Sequence, residues 1–537
     1  METSNLSDAA GPSGGEPPSS ARSARGRARP VTLRTVLAYQ WSDQFSEWLI
    51  YFAIVFSPWA FGTPQFWSGF NTHQFWSTWV VNVTGYLLGL LLLFKLLVRW
   101  RRGHRPARWQ METDDRQPKA HSLAGAAACV LTVGLAVLTF AILAYCLISA
   151  LNARAVYNPV SMEFVYQSHV VWLPHSYDCG RTLQGFANYL ALACVFWATR
   201  DWLLGKTPEE ARDGRAGSLV NGQGAPLPAR LRRLLWVISI NGALLAAEGI
   251  CQRLSGSGKL LWLVEPRINR MAEAQFGPYA YRSNAAQFFN LVWPVTLGFW
   301  WTIRHRVRHR AHLLDPSLFR RAPVLLVCVL LMAACPIISY SRGGALVAFG
   351  NLGIAAVLLL FGLRRRHPLV KFGMLLFLGT TLALGLSLSW DKLSERLGDI
   401  ESGYLGRESI NQTARKMAQD YPLFGTGPGT FEPVFQLYRE SPVEYWPAQL
   451  HNDWLETLIT FGWVGSALIA LAFASALARW FFPGNPHGGW RLVSLVWVAL
   501  AGCLLHARFD FPLQIYSILL LFLVLCAIVF SLSRHSD

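Results

Sequence analysis

Residues 79–108 read WVVNVTGYLLGLLLLFKLLVRWRRGHRPAR: twenty residues with Lys95 as their one charge, followed by five arginines in ten positions. An α-helix rises about 1.5 Å per residue, so about 20 apolar residues cross the roughly 30 Å of hydrocarbon in a bilayer. The basic run behind them is the flank expected on the inner side of a membrane. The same grammar recurs along the chain. Of 537 residues, 53% are hydrophobic and only 15% charged, with mean hydropathy +0.29, whereas soluble domains carry about 25% charged residues. The apolar residues gather into runs near twenty long instead of spreading with amphipathic periods, so the chain reads as all-α and integral to a membrane. The formal net charge of +17 then belongs to loops facing an inner leaflet, and nucleic-acid binding is the weaker reading.

Twelve stretches qualify as spans: 48–61, 79–98, 123–151, 183–198, 234–251, 285–303, 323–338, 345–363, 369–388, 454–477, 492–505 and 513–532. Residues 1–45 form a basic tail rich in Ser, Gly, Pro and Ala with no apolar stretch resembling a signal peptide, expected to be disordered and cytoplasmic. Residues 46–388 hold nine spans, 389–453 a large outer loop, and 454–537 three more spans and a short inner tail. With the N-terminus inside, about 33 of the 48 Lys and Arg fall on the inner side. The inner segments include 99–108, 200–233, RHRVRHR (304–310) and RRRH (364–367), and Arg534 returns to the cytoplasm. The outer loops are 152–182, 253–284 and 389–453. The last contains an amphipathic stretch, 407–421, with Ile410, Ala414, Met417 and Tyr421 at helical spacing, expected to lie on the membrane surface as a lid.

Chemistry is expected on that outer face. Arg342, in SYSRGGALVAF, is a guanidinium at the boundary between two spans, where a charge is costly without an anionic partner. The following glycine pair permits close backbone approach. Arg282, in FGPYAYRSNAAQFFNLVWP, is a second such cation immediately before the sixth span, and arginine grips phosphate bidentately. His451 opens HNDWLETLITFGW, where Asp453 and Glu456 have capping-box spacing. That sets the imidazole just before a helix N-terminus, whose partial charge favours the neutral ring, a form able to take a proton from a hydroxyl.

Other features carry less. YPLFGTGPGTFEPVF (421–435) places Gly425, Gly427 and Gly429 in alternation, but no strand precedes them and no Lys-Ser/Thr follows. A tight turn fixing the loop above the site is the expected role, not a nucleotide loop. WLPHSYDCGRT (172–182) and HARFDFPLQ (506–514) put His175, Asp178, Arg181, His506 and Asp510 outside, without metal-ligand spacing. Glu248 lies within the fifth span, with Arg253 as its expected ion-pair partner. The nine cysteines show neither disulfide nor zinc spacing.

Together these motifs resemble the O-antigen ligase and O-antigen polymerase superfamily of bacterial inner-membrane glycosyltransferases. The likeness runs from the first span to the last: WLPHSYDCGRT, FGPYAYRSN, SRGG, RESINQTARKMAQDYPLFGTGPGTF, HNDWLETLITFGWVG and the late H-x-x-x-D-F-P. The resemblance implies a GT-C-like fold of about twelve membrane helices with a large periplasmic loop between the ninth and tenth. It implies transfer of a glycan from a polyprenyl diphosphate carrier to an acceptor hydroxyl at the periplasmic face, with inversion and with no metal, cofactor or nucleotide sugar. The implied partners are that donor, membrane lipids, and lipid A core or a growing glycan as acceptor. By position, Arg282 and Arg342 match the arginines that hold the diphosphate and His451 the acceptor-activating histidine. Arg407, Gly425, Gly427, Asp453 and Asp510 fall in supporting positions. Relatives often read Arg-Asn-His where this chain has Arg282-Ser283-Asn284, and a commonly aromatic position is Asn411. Ligation to lipid A core ranks ahead of polymerisation, and a lipid-linked sugar flippase is the reading from another class.

Overall fold

The computed structural model describes residues 33–62, 75–104, 106–108, 123–216, 227–266, 269–309, 316–362, 368–398, 400–439, 447–481 and 489–532. The helices are α1 (Leu33–Trp59), α2 (Phe75–Arg102), α3 (Leu123–Leu151), α4 (Cys179–Leu203), α5 (Pro208–Ala216), α6 (Ala229–Ser255), α7 (Arg282–His309) and α8 (Pro316–Ile338). There follow α9 (Arg342–Gly362), α10 (Pro368–Ser387), α11 (Trp390–Gly398), α12 (Ile400–Asp420), α13 (Phe431–Phe435), α14 (Asp453–Ala478), α15 (Trp490–His506) and α16 (Tyr516–Leu532). A two-stranded antiparallel hairpin, β1 (Ala155–Asn158) with β2 (Glu163–Tyr166), follows α3 and pairs Ala155 with Tyr166. Each apolar stretch expected to span lies on a helix. Five of the described helical segments, on α2, α3, α6, α9 and α14, are long and apolar enough to cross a membrane on composition alone. A sixth is α10 with α11, if their 78° bend is counted within one span.

Two differences from the sequence reading have simple causes. Helix α1 begins at Leu33, so residues 33–45, expected in the disordered tail, are helical. Asp43 and Glu47 on this stretch meet Lys95, Arg230 and Arg233 from α2 and α6, and such pairs hold a polar helical extension in place. Residues 1–32, RRRH (364–367) and Arg534 lie outside the described residues. The second concerns α7, which is too polar to pass as a span yet is central. From Ser283 to Ile303 every residue is buried. Its polar groups are satisfied inside: Asn290 Nδ2 donates to the Gly344 carbonyl at 2.9 Å, and Thr296 Oγ1 lies 3.0 Å from Ser239 Oγ. A helix wrapped in protein never meets lipid and need not be apolar, provided its hydrogen bonds close. α16, buried except for the half-buried Leu519 and Leu523, is the second axis of the core.

The basic ends gather at one pole. Arg99 and Lys95 bind Asp201 at the end of α4, Arg108 pairs with the same carboxylate, and Arg230 reaches Asp43. The opposite pole carries the β-hairpin, α11 to α13 and the segments before α7, α9, α14 and α16. There α12 turns its apolar face inward: Ala414 and Met417 are fully buried and pack with Tyr177, Phe431, Val434 and Ile459. The apolar face of the stretch expected to lie on the membrane surface as a lid is thus packed against protein, and its opposite face is exposed.

That pole is fastened by a break in α14. Gly462 adopts φ 59°, ψ −171°, interrupting the helix. Residues 422–427 enter the gap: Trp463 N–H donates to the Pro422 carbonyl at 2.8 Å, Thr426 N–H to Ile459 at 2.8 Å and Gly427 N–H to Thr460 at 3.0 Å. Backbone groups freed by a broken membrane helix must find partners within the protein, and here the inserted loop supplies them. The alternating glycines follow, since a Cβ on Gly425 (φ 67°) would lie 2.5 Å from the Ile459 carbonyl oxygen.

Candidate active site

Helices α7 and α9 start side by side. Gly344 allows the approach, because a Cβ there would lie 2.3 Å from the Ala286 Cβ. Ser341 caps α9, its Oγ accepting the Gly344 N–H at 3.1 Å. Arg282 and Arg342, the first residues of the two helices, are thereby neighbours, and Arg282 Nη1 donates to the Glu273 carbonyl at 2.7 Å. The short helix α11 delivers Arg396 to the same place and α12 delivers Arg407. With Asp510, from the turn after α15, these arginines surround a cavity of about 50 Å³.

Four guanidiniums thus face one carboxylate. Burial, and then the charge of Arg396, brings the Arg282 guanidinium down to about 10. Burial and then Arg342 likewise lower Arg396. A guanidinium ordinarily stays charged past pH 12, so crowding of this kind marks a place built for an anion. Arg396 lines that cavity, and its buried Nε has no hydrogen-bond partner among the described residues. Arg407 is anchored by Nη1 to the Phe509 carbonyl at 2.8 Å, its Nη2 standing 4.0 Å from Asp510 Oδ2.

His451 joins through Asp510. Its Nδ1 lies 3.0 Å from Asp510 Oδ1, which also accepts the Phe511 N–H at 3.1 Å. Burial raises the Asp510 carboxyl, but the hydrogen bond from His451 and the nearby Arg407 guanidinium outweigh it and hold the group well below the usual carboxylate range. An ionised Asp510 accepts only, so His451 carries its proton on Nδ1 and presents the Nε2 lone pair outward. The ring rests against Phe511, with centroids 4.9 Å apart, and is partly exposed, as a proton acceptor for an incoming group must be.

Other candidates fall elsewhere. The N-cap of α14 is Asn452, whose side chain accepts the Leu455 N–H, one residue before the expected cap at Asp453. Asp453 instead accepts the Leu513 N–H at 2.8 Å, tying α14 to the segment before α16, and Glu456 accepts the Leu450 N–H at 2.7 Å. Gly425 and Gly427 lie at the α14 break and not at the arginine cavity. Asp178 caps α4 and Arg181 binds Glu432 at 2.7 Å, so WLPHSYDCGRT is hydrogen-bonded loop structure. Arg253 does not pair with Glu248. It donates to the carbonyls of Ala272 and Gln275 and stacks on Tyr340, while both Glu248 carboxylate oxygens lack hydrogen-bond partners among the described residues. Among the described residues no three His, Cys, Asp or Glu side chains are grouped to hold a metal. A second cavity, of about 210 Å³ and mainly apolar, lies between α3, α4, α14 and α16, apart from the arginines.

Arg396 escaped sequence reasoning because WDKLSERLG reads as a solvated charged run. The available signal was Leu393, fully buried three residues earlier, since residues three apart on a helix share a face.

Fold and site define a polytopic helical membrane protein with a cationic, anion-receiving centre beside a histidine–carboxylate pair. Residues 327–470 match the family model described as O-antigen ligase. The matched segment runs from α8 into α14 and contains Arg342, Arg396, Arg407 and His451, while Arg282 and Asp510 flank it in sequence and complete the site in space. Comparison with curated proteins finds no match.

Proposed function

We propose that this protein is an inner-membrane glycosyltransferase that moves a glycan from a polyprenyl diphosphate carrier to an acceptor hydroxyl on the periplasmic side, with lipid A core as the acceptor. Twelve helices cross the membrane in this reading, both chain ends are cytoplasmic, and the pole bearing the basic loops faces the cytoplasm. The observation that carries it is the meeting of Arg282, Arg342, Arg396 and Arg407 with the His451–Asp510 pair around one small cavity.

The acceptor oxygen attacks the anomeric carbon while its proton passes to His451 Nε2. The bond from that carbon to the diphosphate oxygen breaks, and the leaving group departs with the electron pair. Guanidiniums already in place stabilise the charge that develops there without reorganising. Diphosphate is a good leaving group once its charge is met, so one base and a cationic cradle suffice without a metal ion. Attack opposite the departing diphosphate inverts the anomeric centre. Asp510 fixes the reactive tautomer and stabilises the imidazolium formed.

The test is purified protein in lipid with an undecaprenyl diphosphate glycan and rough lipopolysaccharide, run with and without EDTA. Glycan on the lipopolysaccharide, lost in His451→Ala while donor binding persists, is the expected result. Chains lengthening on the carrier would reassign the protein as a polymerase. An unaltered donor would overturn the transferase reading.

A further inference from the structure

A buried hydroxyl joins the two halves of this site. Ser283 lies on α7 directly after Arg282, and its Oγ meets three groups: Asp510 Oδ2, His506 Nε2 at 3.2 Å and Ser341 Oγ at 3.3 Å. Ser341 in turn precedes Arg342 and caps its helix. One oxygen therefore links the N-termini bearing the donor-side arginines, the end of α15, and the carboxylate that holds His451. We propose that Ser283 and His506 are positioning residues of the transfer reaction, acting through Asp510 to keep the His451 imidazole in its reactive tautomer and in register with the arginines. This rests on the transferase reading above.

Counting protons fixes the direction of each bond. A serine hydroxyl has one proton and two lone pairs. Asp510 Oδ1 is already engaged by the Phe511 N–H and His451 Nδ1, and an ionised Oδ2 accepts, so Ser283 donates its proton to Oδ2. Ser283 must then accept from both other neighbours, Ser341 O–H and His506 Nε2–H. That makes His506 the Nε2–H tautomer with an accepting Nδ1. Nδ1 stands 2.9 Å from the Gln287 side-chain oxygen, an acceptor facing an acceptor, while Gln287 Nε2 has no nitrogen or oxygen partner among the described residues and neighbours only the Cys503 thiol. Turning that amide over resolves both faults: the NH2 meets Nδ1. The chain then runs without a break from Gln287 through His506, Ser283 and Asp510 to His451, with every donor pointing toward the Asp510 carboxylate. Its members are buried except the His451 ring. The charged and titratable groups around Asp510 are His451, His506, Arg407, Tyr281 and Asp453, with Arg282, Arg342 and Arg396 lining the same cavity.

The experiment compares Ser283→Ala, Ser283→Thr and wild type in the reconstituted transfer assay, with donor KM, kcat and pH profile measured for each. A hydrogen bond to a charged group is worth enough that kcat of Ser283→Ala should fall roughly ten- to a hundredfold. Donor KM should stay within about twofold, because the guanidiniums remain. The acid limb of its profile should move to higher pH, since Asp510 loses a donor that favours its ionised form. Ser283→Thr, retaining the hydroxyl, should recover most of the rate. Equal loss in the Ala and Thr variants would make the role one of packing, and an unchanged Ser283→Ala would remove it; either overturns the proposal. If Ser283→Ala fails to fold, as judged by size-exclusion chromatography and melting, His506→Gln serves instead, with the same loss of kcat at constant donor KM expected. Wild-type protein that transfers no glycan would refute the transferase reading itself, an outcome separate from these.

Discussion

Replacing Arg396 by alanine should weaken the donor and steady the empty protein at once. The side chain offers an unpartnered Nε at a cavity it shares with Arg282, Arg342 and Arg407. Loss of one charge-assisted contact to diphosphate removes roughly 1.5–3 kcal/mol, so donor affinity should fall roughly ten- to a hundredfold. Without the donor, the same change relieves repulsion among like charges. Arg396 is partly exposed and solvent screens it, so the gain is below about 1 kcal/mol and the melting midpoint should rise on the order of 1 °C. Titration of undecaprenyl diphosphate into purified protein gives the affinity, and tryptophan fluorescence during heating gives the midpoint. Opposite signs distinguish a binding residue from a structural one. Affinity within about twofold of wild type, or a midpoint that drops together with affinity, would refute the reasoning.

Asp510→Asn should lower the melting midpoint, with a defined pH window. The native carboxyl sits below its ordinary range, so its contribution is fully present above roughly pH 4 and fades as acid titrates the folded protein. The gap between wild type and variant should be steady from about pH 5 to 8 and close below that; a gap that widens in acid would contradict it. Gly425→Ala should cost about 1–3 kcal/mol, read as a lower midpoint, because the new Cβ meets the Ile459 carbonyl, whereas Gly398→Ala, with open space around it, should be silent. A cysteine at Val160, 92% exposed at the hairpin turn, should react with an impermeant maleimide from the periplasmic side in a cysteine-free background. Labelling only after the inner membrane is opened would invert the proposed orientation.

The membrane helices were legible because lipid-facing residues must be apolar over a fixed length, and α2 or α9 satisfies that rule almost without exception. Legibility fails where the rule ceases to apply. The stretch 285–303 reads as a span, but its central place in the bundle is not legible, because α7 carries polar side chains that close their bonds within the protein. Arg282, Arg342 and His451 stood out because each puts a costly or reactive group at the edge of a span. Arg396 and Ser283 did not: a charged residue on a short outer helix and a serine after an arginine are ordinary until tertiary packing brings them to Asp510. Pairings distant in sequence, such as His451 with Asp510, leave no local periodicity to read.

The welded break at Gly462 also constrains traffic. Residues 422–427 are stitched by their backbone into a membrane helix, and the face of α12 that could have swung outward is sealed against Tyr177 and Phe431. A roof so attached does not lift like a hatch, so under the proposed transferase function a carrier with a long hydrocarbon tail would reach the arginines sideways, through the bilayer plane. Encounter then becomes a two-dimensional search, in which turnover follows the surface density of carrier in the leaflet and not its bulk concentration.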